Sequence, residues 1–267
     1  MSSSLIAISA LVRRDVLITR SYRLSFALEA AYGVLGLVLY YFISRTFDEV
    51  SSSTLGNAPS YFAYAAVGLV VGTVIVATTT SVGIRVREEQ TTGTLEALAT
   101  TPVGPIELSV GLVGFPFVFA SFQATFYLAV ASIFLGLDVS NASWPGLAAV
   151  LLVSGLALAP IGVLAGAAVL VFKRGQMIAG TLVYLMTIIG GMLFPVSVLP
   201  DWLQPLAELV PLTYAFDGAR DALFAGSGWE ADAAVLAIWA LILWPISLFV
   251  FDRAGGYARR AGSLSEF

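Results

Sequence analysis

Six apolar runs divide this chain, at 26–43, 61–84, 108–137, 147–172, 177–194 and 231–251. A hydrocarbon core about 30 Å thick needs roughly 20 apolar residues at about 1.5 Å rise each. Each run therefore reads as one crossing, and each must be helical, because lipid offers backbone groups no other partner. Glu29 sits at the first boundary, and the third run is longer than one crossing requires, with Pro116 placed to kink it. The polar stretch 85–102 separates the second and third runs and has a pattern of its own. Gly93 can cap a helix with Glu96 three residues on, Leu95, Leu98 and Ala99 share one helical face, and Pro102 disfavours helix at Thr101. The spacing predicts a short amphipathic helix held at one bilayer face.

Two more segments carry secondary patterning. Residues 6–25 place Ile6, Ser9, Ala10, Arg13, Val16, Leu17 and Arg20 at helical spacing with arginines interleaved. This suits a helix lying along the interface before the first span. Between the fifth and sixth runs, 195–228 is too apolar and too rich in proline for free coil. Pro200 to Leu209 predicts a short helix, with Trp202 beside a Leu203, Leu206 and Leu209 row. Thr213 to Phe224 predicts another, in which Arg220 can pair with Asp217 or Asp221. Trp and Pro at that depth anchor irregular backbone, which survives in a bilayer only where protein or a water-filled cavity satisfies it. Phe194, Pro195, Pro200, Trp202, Asp217, Arg220 and Asp221 are accordingly the candidates for an extracellular gate. Gly68 with Gly72, and Gly162 with Gly166, offer close approach between helices.

Composition agrees: 58% of the 267 residues are hydrophobic and 11% charged, with mean hydropathy +0.91. Soluble domains carry about 25% charged residues. Cysteine and histidine are absent, which removes disulfides, thiolate chemistry and the usual zinc sites. Charge sets the orientation. With six spans, one face carries eleven basic residues (Arg13, Arg14, Arg20, Arg23, Arg85, Arg87, Lys173, Arg174, Arg253, Arg259, Arg260) and the other only Arg45 and Arg220. Both termini and the 85–102 loop are thus expected in the cytoplasm. Nine acidic residues, among them Asp138, Asp217, Asp221 and Asp232, fall outside. No cleavable signal is expected, since the apolar patch 5–12 is short and runs into arginines. A P-loop is excluded, because the sole lysine, Lys173, follows Phe172 and not glycine. The chain reads as one domain over 1–267: an interface helix at 1–25, a six-span bundle at 26–251 and a cytoplasmic tail at 252–267. Its acidic, lysine-poor composition (pI about 4.8) suggests a prokaryotic plasma-membrane protein and offers nucleic acid nothing.

The order Glu88-Glu89, Gly93-Thr94-Leu95-Glu96-x-Leu98 and Thr101-Pro102 resembles the loop after the second span of type-2 ATP-binding-cassette (ABC) permeases. The resemblance extends to the arginine-bearing N-terminus, to Phe194-Pro195-x-x-x-Leu199-Pro200-x-Trp202-Leu203-Gln204, and to Pro211 followed by Arg220. It implies that Glu88, Glu89, Gly93, Thr94, Leu95, Glu96, Leu98 and Pro102 belong to a coupling helix that docks on a separate ATP-binding subunit. Leu95 and Leu98 would supply an apolar knob and the glutamates would meet arginines at its rim. Lys173 and Arg174 are a secondary cytoplasmic contact. The resemblance further implies an exporter built from two permeases, identical or paralogous, and two ATP-binding subunits. ATP and Mg would sit on those subunits and no cofactor on this chain, with membrane lipid around it. Two rivals come from other classes. An ion-coupled secondary transporter would need ionisable groups at mid-membrane, where the spans offer Ser121, Gln123, Thr125 and Thr78-Thr79-Thr80. A membrane-embedded prenyltransferase-like enzyme would use Asp217 and Asp221 to hold Mg²⁺ and a diphosphate.

Overall fold

A computed structural model describes residues 23–46, 55–92, 105–172 and 175–261. All regular structure among them is helical: α1 (Arg23–Thr46), α2 (Tyr61–Thr92), α3 (Pro105–Leu135), α4 (Trp144–Val171), α5 (Gly175–Ile189), α6 (Gln204–Glu208), α7 (Pro211–Arg220) and α8 (Trp229–Ala261). Five of these, α1 to α4 and α8, are long and apolar enough to cross a membrane. The fifth apolar run behaves differently from its expectation as a full span. Its helix stops at Ile189 after 15 residues, about 22 Å at 1.5 Å per residue. Gly190 and Gly191 end it, with Gly191 in the left-handed region at φ 87°, where a Cβ is strongly disfavoured. Hydropathy registers the apolar run through Phe194 but not the paired glycines that turn the backbone.

The second span departs in the opposite sense. α2 does not end where charge begins at Arg85; it runs on to Thr92, and Arg85 pairs with Glu88 one turn along at 3.8 Å. Its 32 residues make a rod of about 48 Å, longer than the hydrocarbon core. The expected amphipathic helix at Gly93, Thr94, Leu95, Glu96, Leu98 and Pro102 lies outside the described residues, as do the interface helix up to residue 22, Lys173 and Arg174.

Packing centres on α2. In its spanning window 78% of residues are buried, against 6% in α1 and 11% in α8, which border the bundle. Glycine makes the tight contacts, since between helices in lipid van der Waals fit replaces the hydrophobic drive. A Cβ on Gly162 of α4 would lie 2.8 Å from the Thr78 carbonyl oxygen, and one on Gly166 would lie 2.8 Å from Val82 Cγ1, so α4 closes directly on α2. Gly68 and Gly72 receive no helix flank. Both face Met192, just beyond α5.

Inside α4 a side chain repairs broken backbone. Pro160 inside α4 has no N–H to give the Leu156 carbonyl, and Trp244 of α8 donates its indole N–H there at 2.9 Å. At the α6–α7 junction the Ala207 carbonyl accepts twice, from the Val210 N–H at 3.0 Å and from the Thr213 hydroxyl at 2.7 Å. Several polar groups at mid-span bond within the bundle, although the buried Ser154 hydroxyl of α4 has no partner among the described residues. Thr78 and Thr79 bond back to Val74 and Ile75, while Gln123 donates to the Tyr127 hydroxyl, which donates to the Glu29 carbonyl of α1.

Candidate functional site

The bundle has a basic end, where α2 carries Arg85 and Arg87 and α8 carries Arg253, Arg259 and Arg260, and an acidic end carrying the 190–228 segment. From Gly190 the chain turns through a short 3₁₀ turn at Val196–Val198, then α6 and α7, before a widened π turn at Asp221–Ala225 feeds α8. The expected pair of short helices is thus present, with shifted bounds. Local caps hold them. Gln204 donates to the Leu199 carbonyl at 2.8 Å, Tyr214 to the Glu208 carbonyl at 2.8 Å, and Gly226, left-handed at φ 71°, donates back to Asp221.

Arg220 organises this region. Its side chain is 3% exposed and its guanidinium lies over the Tyr64 ring of α2, 3.4 Å from the centroid. Nη2 donates to the carbonyls of Gly191 (2.7 Å) and Met192 (3.1 Å), and more distantly to that of Tyr64 (3.4 Å); Nη1 meets Asp217 at 3.2 Å. The Tyr64 hydroxyl donates to the same Gly191 carbonyl at 2.9 Å. The carbonyls left open where α5 stops are therefore covered by a planar fork with fixed donors, which spans several acceptors at once. Arg220, α2, α7 and the end of α5 form one polar knot inside an apolar bundle.

Of the sequence-derived gate residues, Asp217 and Arg220 come together. Asp221 points elsewhere and accepts from Asn57 of the α1–α2 connection at 2.8 Å. Phe194 and Pro195 are half-buried nearby, while Pro200 and Trp202 stand at the surface, Trp202 with 72% exposure. Asp217 and Asp221 thus have separate partners, and no group of three or more Asp or Glu side chains among the described residues could hold a metal ion. A diphosphate site would need both carboxylates on one metal, and here each faces a different partner. Tyr64, Gly191, Met192 and Asn57 are members that sequence reasoning missed. The Gly68 and Gly72 pair was the available signal for Met192; backbone carbonyls leave none.

At the basic end, Glu88 is exposed on the last turns of α2 beside Arg85, and Glu89 follows within the same helix. Ser143, in the Asn141-Ala142-Ser143 sequon, caps α4 by accepting from the Gly146 N–H at 3.3 Å. Cavities flank α5. One of about 330 Å³ is lined by Leu164, Leu182, Met186 and Trp239 among others, and one of about 170 Å³ by Thr80, Gly83, Gln176 and Gly180 among others.

The family model described as ABC-2 type transporter matches residues 7–224. The chain belongs to the ABC-2 type transporter family. Among curated proteins, none matches it closely enough to add a relative. As an ABC-2 membrane component it is a permease subunit that works with an ATP-binding subunit, and it resides in a membrane. The matched stretch takes in the end of α2 and all of the Arg220 knot.

Proposed function

We propose that this ABC-2 permease is half of an ATP-driven exporter, with its basic end in the cytoplasm and its acidic end outside. The arginine asymmetry supports that orientation, and α5, continued by the chain at its outer end, makes the fifth of six crossings. One observation carries the mechanism. α2 is a single unbroken helix from Tyr64, beneath the Arg220 guanidinium, to Thr92, where the loop bearing Leu95 and Leu98 begins. A helix of that length moves as a rod, so displacement at a docked ATP-binding subunit reaches the outer knot without an intervening hinge. The outer segment then acts as the closure of the pathway. The ion-coupled alternative is weakened because Gln123, Ser121, Thr125 and the Thr78–Thr80 hydroxyls already bond within the fold.

The test addresses coupling. Replacing Leu95 and Leu98 together with aspartate would place uncompensated charge in an apolar contact. The variant should insert normally, fail to retain the ATP-binding subunit on co-purification, and lose ATP-dependent transport. Normal retention and transport would show that the loop is not the coupling element.

A further inference from the structure

The closure rests on a contact that nothing in its hydropathy announces. Gly68 and Gly72, one turn apart on α2, form a notch, and Met192 occupies it. A Cβ on Gly68 would collide with the Met192 backbone carbonyl, and one on Gly72 would lie 2.8 Å from Met192 Cε and 3.2 Å from Sδ. Arg220 covers the notch from above, since its Nη2 lies 3.3 Å from the same Gly68 Cβ position and bonds the Met192 carbonyl. The fit is between backbone and backbone at one glycine, and between backbone and a flexible thioether at the other.

Elsewhere α5 is held thinly. Its buried positions are Gly175, Val183 and Thr187, whereas α4 is buried along most of its length. The two cavities beside α5 share Ala165, Ala179 and Val183 in their walls. The contact between α4 and α5 is therefore a narrow bridge of small side chains with unfilled space on both sides. A helix so placed can rock about the bridge, provided its outer end is released.

We infer that Met192 in the Gly68/Gly72 notch, covered by Arg220, is the releasable seal of the acidic end, and that Gly68 is the positioning residue that lets it close. This rests on the outer segment being a closure. Release requires α5 to withdraw the Met192 carbonyl from Gly68 and to exchange its bonds to Arg220. A populated open form follows if anything wedges the notch, since a two-state contact responds to the free-energy difference between its states.

The chain has no cysteine, so one can serve as reporter. Thr187→Cys lies on the packed face of α5, one turn before Gly191 and 3% exposed. The full chain with its ATP-binding subunit, in proteoliposomes, would be treated from the outside with a membrane-impermeant thiol reagent in the absence of nucleotide. Adding Gly68→Ala should speed labelling about tenfold, a shift of the kind expected when a minor open state gains population. Gly72→Ala should speed it less, because the methionine tail can yield where a carbonyl cannot. Labelling of the Gly68→Ala protein no faster than the parent, or equal acceleration by both alanines, would overturn the seal. If Gly68→Ala fails to assemble, Arg220→Lys, which withdraws the fork that bonds the Met192 carbonyl without adding bulk to the notch, decides: labelling faster than the parent supports the seal and labelling at the parent rate refutes it. The readout needs no ATP turnover. A failed seal therefore leaves the coupling test standing, and failed coupling leaves the labelling order readable.

Discussion

At the scale of the residue, Arg220 shows how a bilayer protein keeps a charge in its interior. Isolated arginine in a membrane is costly, yet here the guanidinium has an aromatic face, a carboxylate and two close carbonyls. Removing it takes a donor from those acceptors and from Asp217 together. Arg220→Ala should therefore destabilise the permease by about 1.5–3 kcal/mol, the scale for hydrogen bonds made by a charged donor, since the half-exposed Asp217 carboxylate can be rehydrated. Arg220→Lys should recover part of the loss, through Asp217, but not the fork to Gly191 and Met192. Tyr64→Phe should cost only about 1 kcal/mol, since Gly191 keeps its bond to Arg220. Thermal retention of the monodisperse peak in detergent would rank the three. An alanine variant indistinguishable from the parent would mean that the knot contributes nothing to the fold. The spacing of Asp217 and Arg220 was legible in the sequence as a helical pair. Their partners were not, because a tyrosine from a distant helix and two carbonyls carry no local pattern.

At the scale of the element, what could be read followed what lipid dictates. Span lengths are set by bilayer thickness, so α1 to α4 and α8 appear where the apolar runs place them. The two misreadings have one cause: hydropathy measures transfer and not backbone geometry. It carried the fifth run through Gly190 and Gly191, and it stopped the second at Arg85 although helix continues to Thr92. Proline inside α4 makes a sharper case, since sequence predicts a break and the fold supplies a repair. If Trp244 exists to satisfy the Leu156 carbonyl, Trp244→Phe should cost about 1 kcal/mol, the net contribution of one hydrogen bond. Pro160→Ala would restore an N–H that can reach the same carbonyl, so Trp244→Phe should cost markedly less in that background. A double-mutant cycle with no coupling energy would assign Trp244 to packing alone.

At the scale of the whole molecule, the surfaces differ in a way that bears on assembly. The outward faces of α3 and α8 are apolar, with Val118, Phe122, Phe126, Ile133 and Phe134 on one and Ile238, Leu241, Ile242, Ile246 and Phe249 on the other. Lipid suffices for both. The side formed by α2 and α5 is mixed: Thr73 and Thr80 are half-buried on α2, and Gln176, Thr181 and Tyr184 are exposed on α5. The three threonine hydroxyls bond back to their own helices, but the Gln176 amide and the Tyr184 phenol suit a protein or aqueous neighbour better than acyl chains, and a pathway shared between two permeases would provide it. In a two-fold pair the same patch serves both partners. A single cysteine at Thr181 should consequently join two copies through a short bifunctional thiol reagent in native membranes, while one at Leu241 should not. Were Leu241→Cys to cross-link and Thr181→Cys to stay monomeric, the second copy would sit against α8. The α2–α5 face, with the Met192 notch at its acidic end, would then open to lipid and could not line the route.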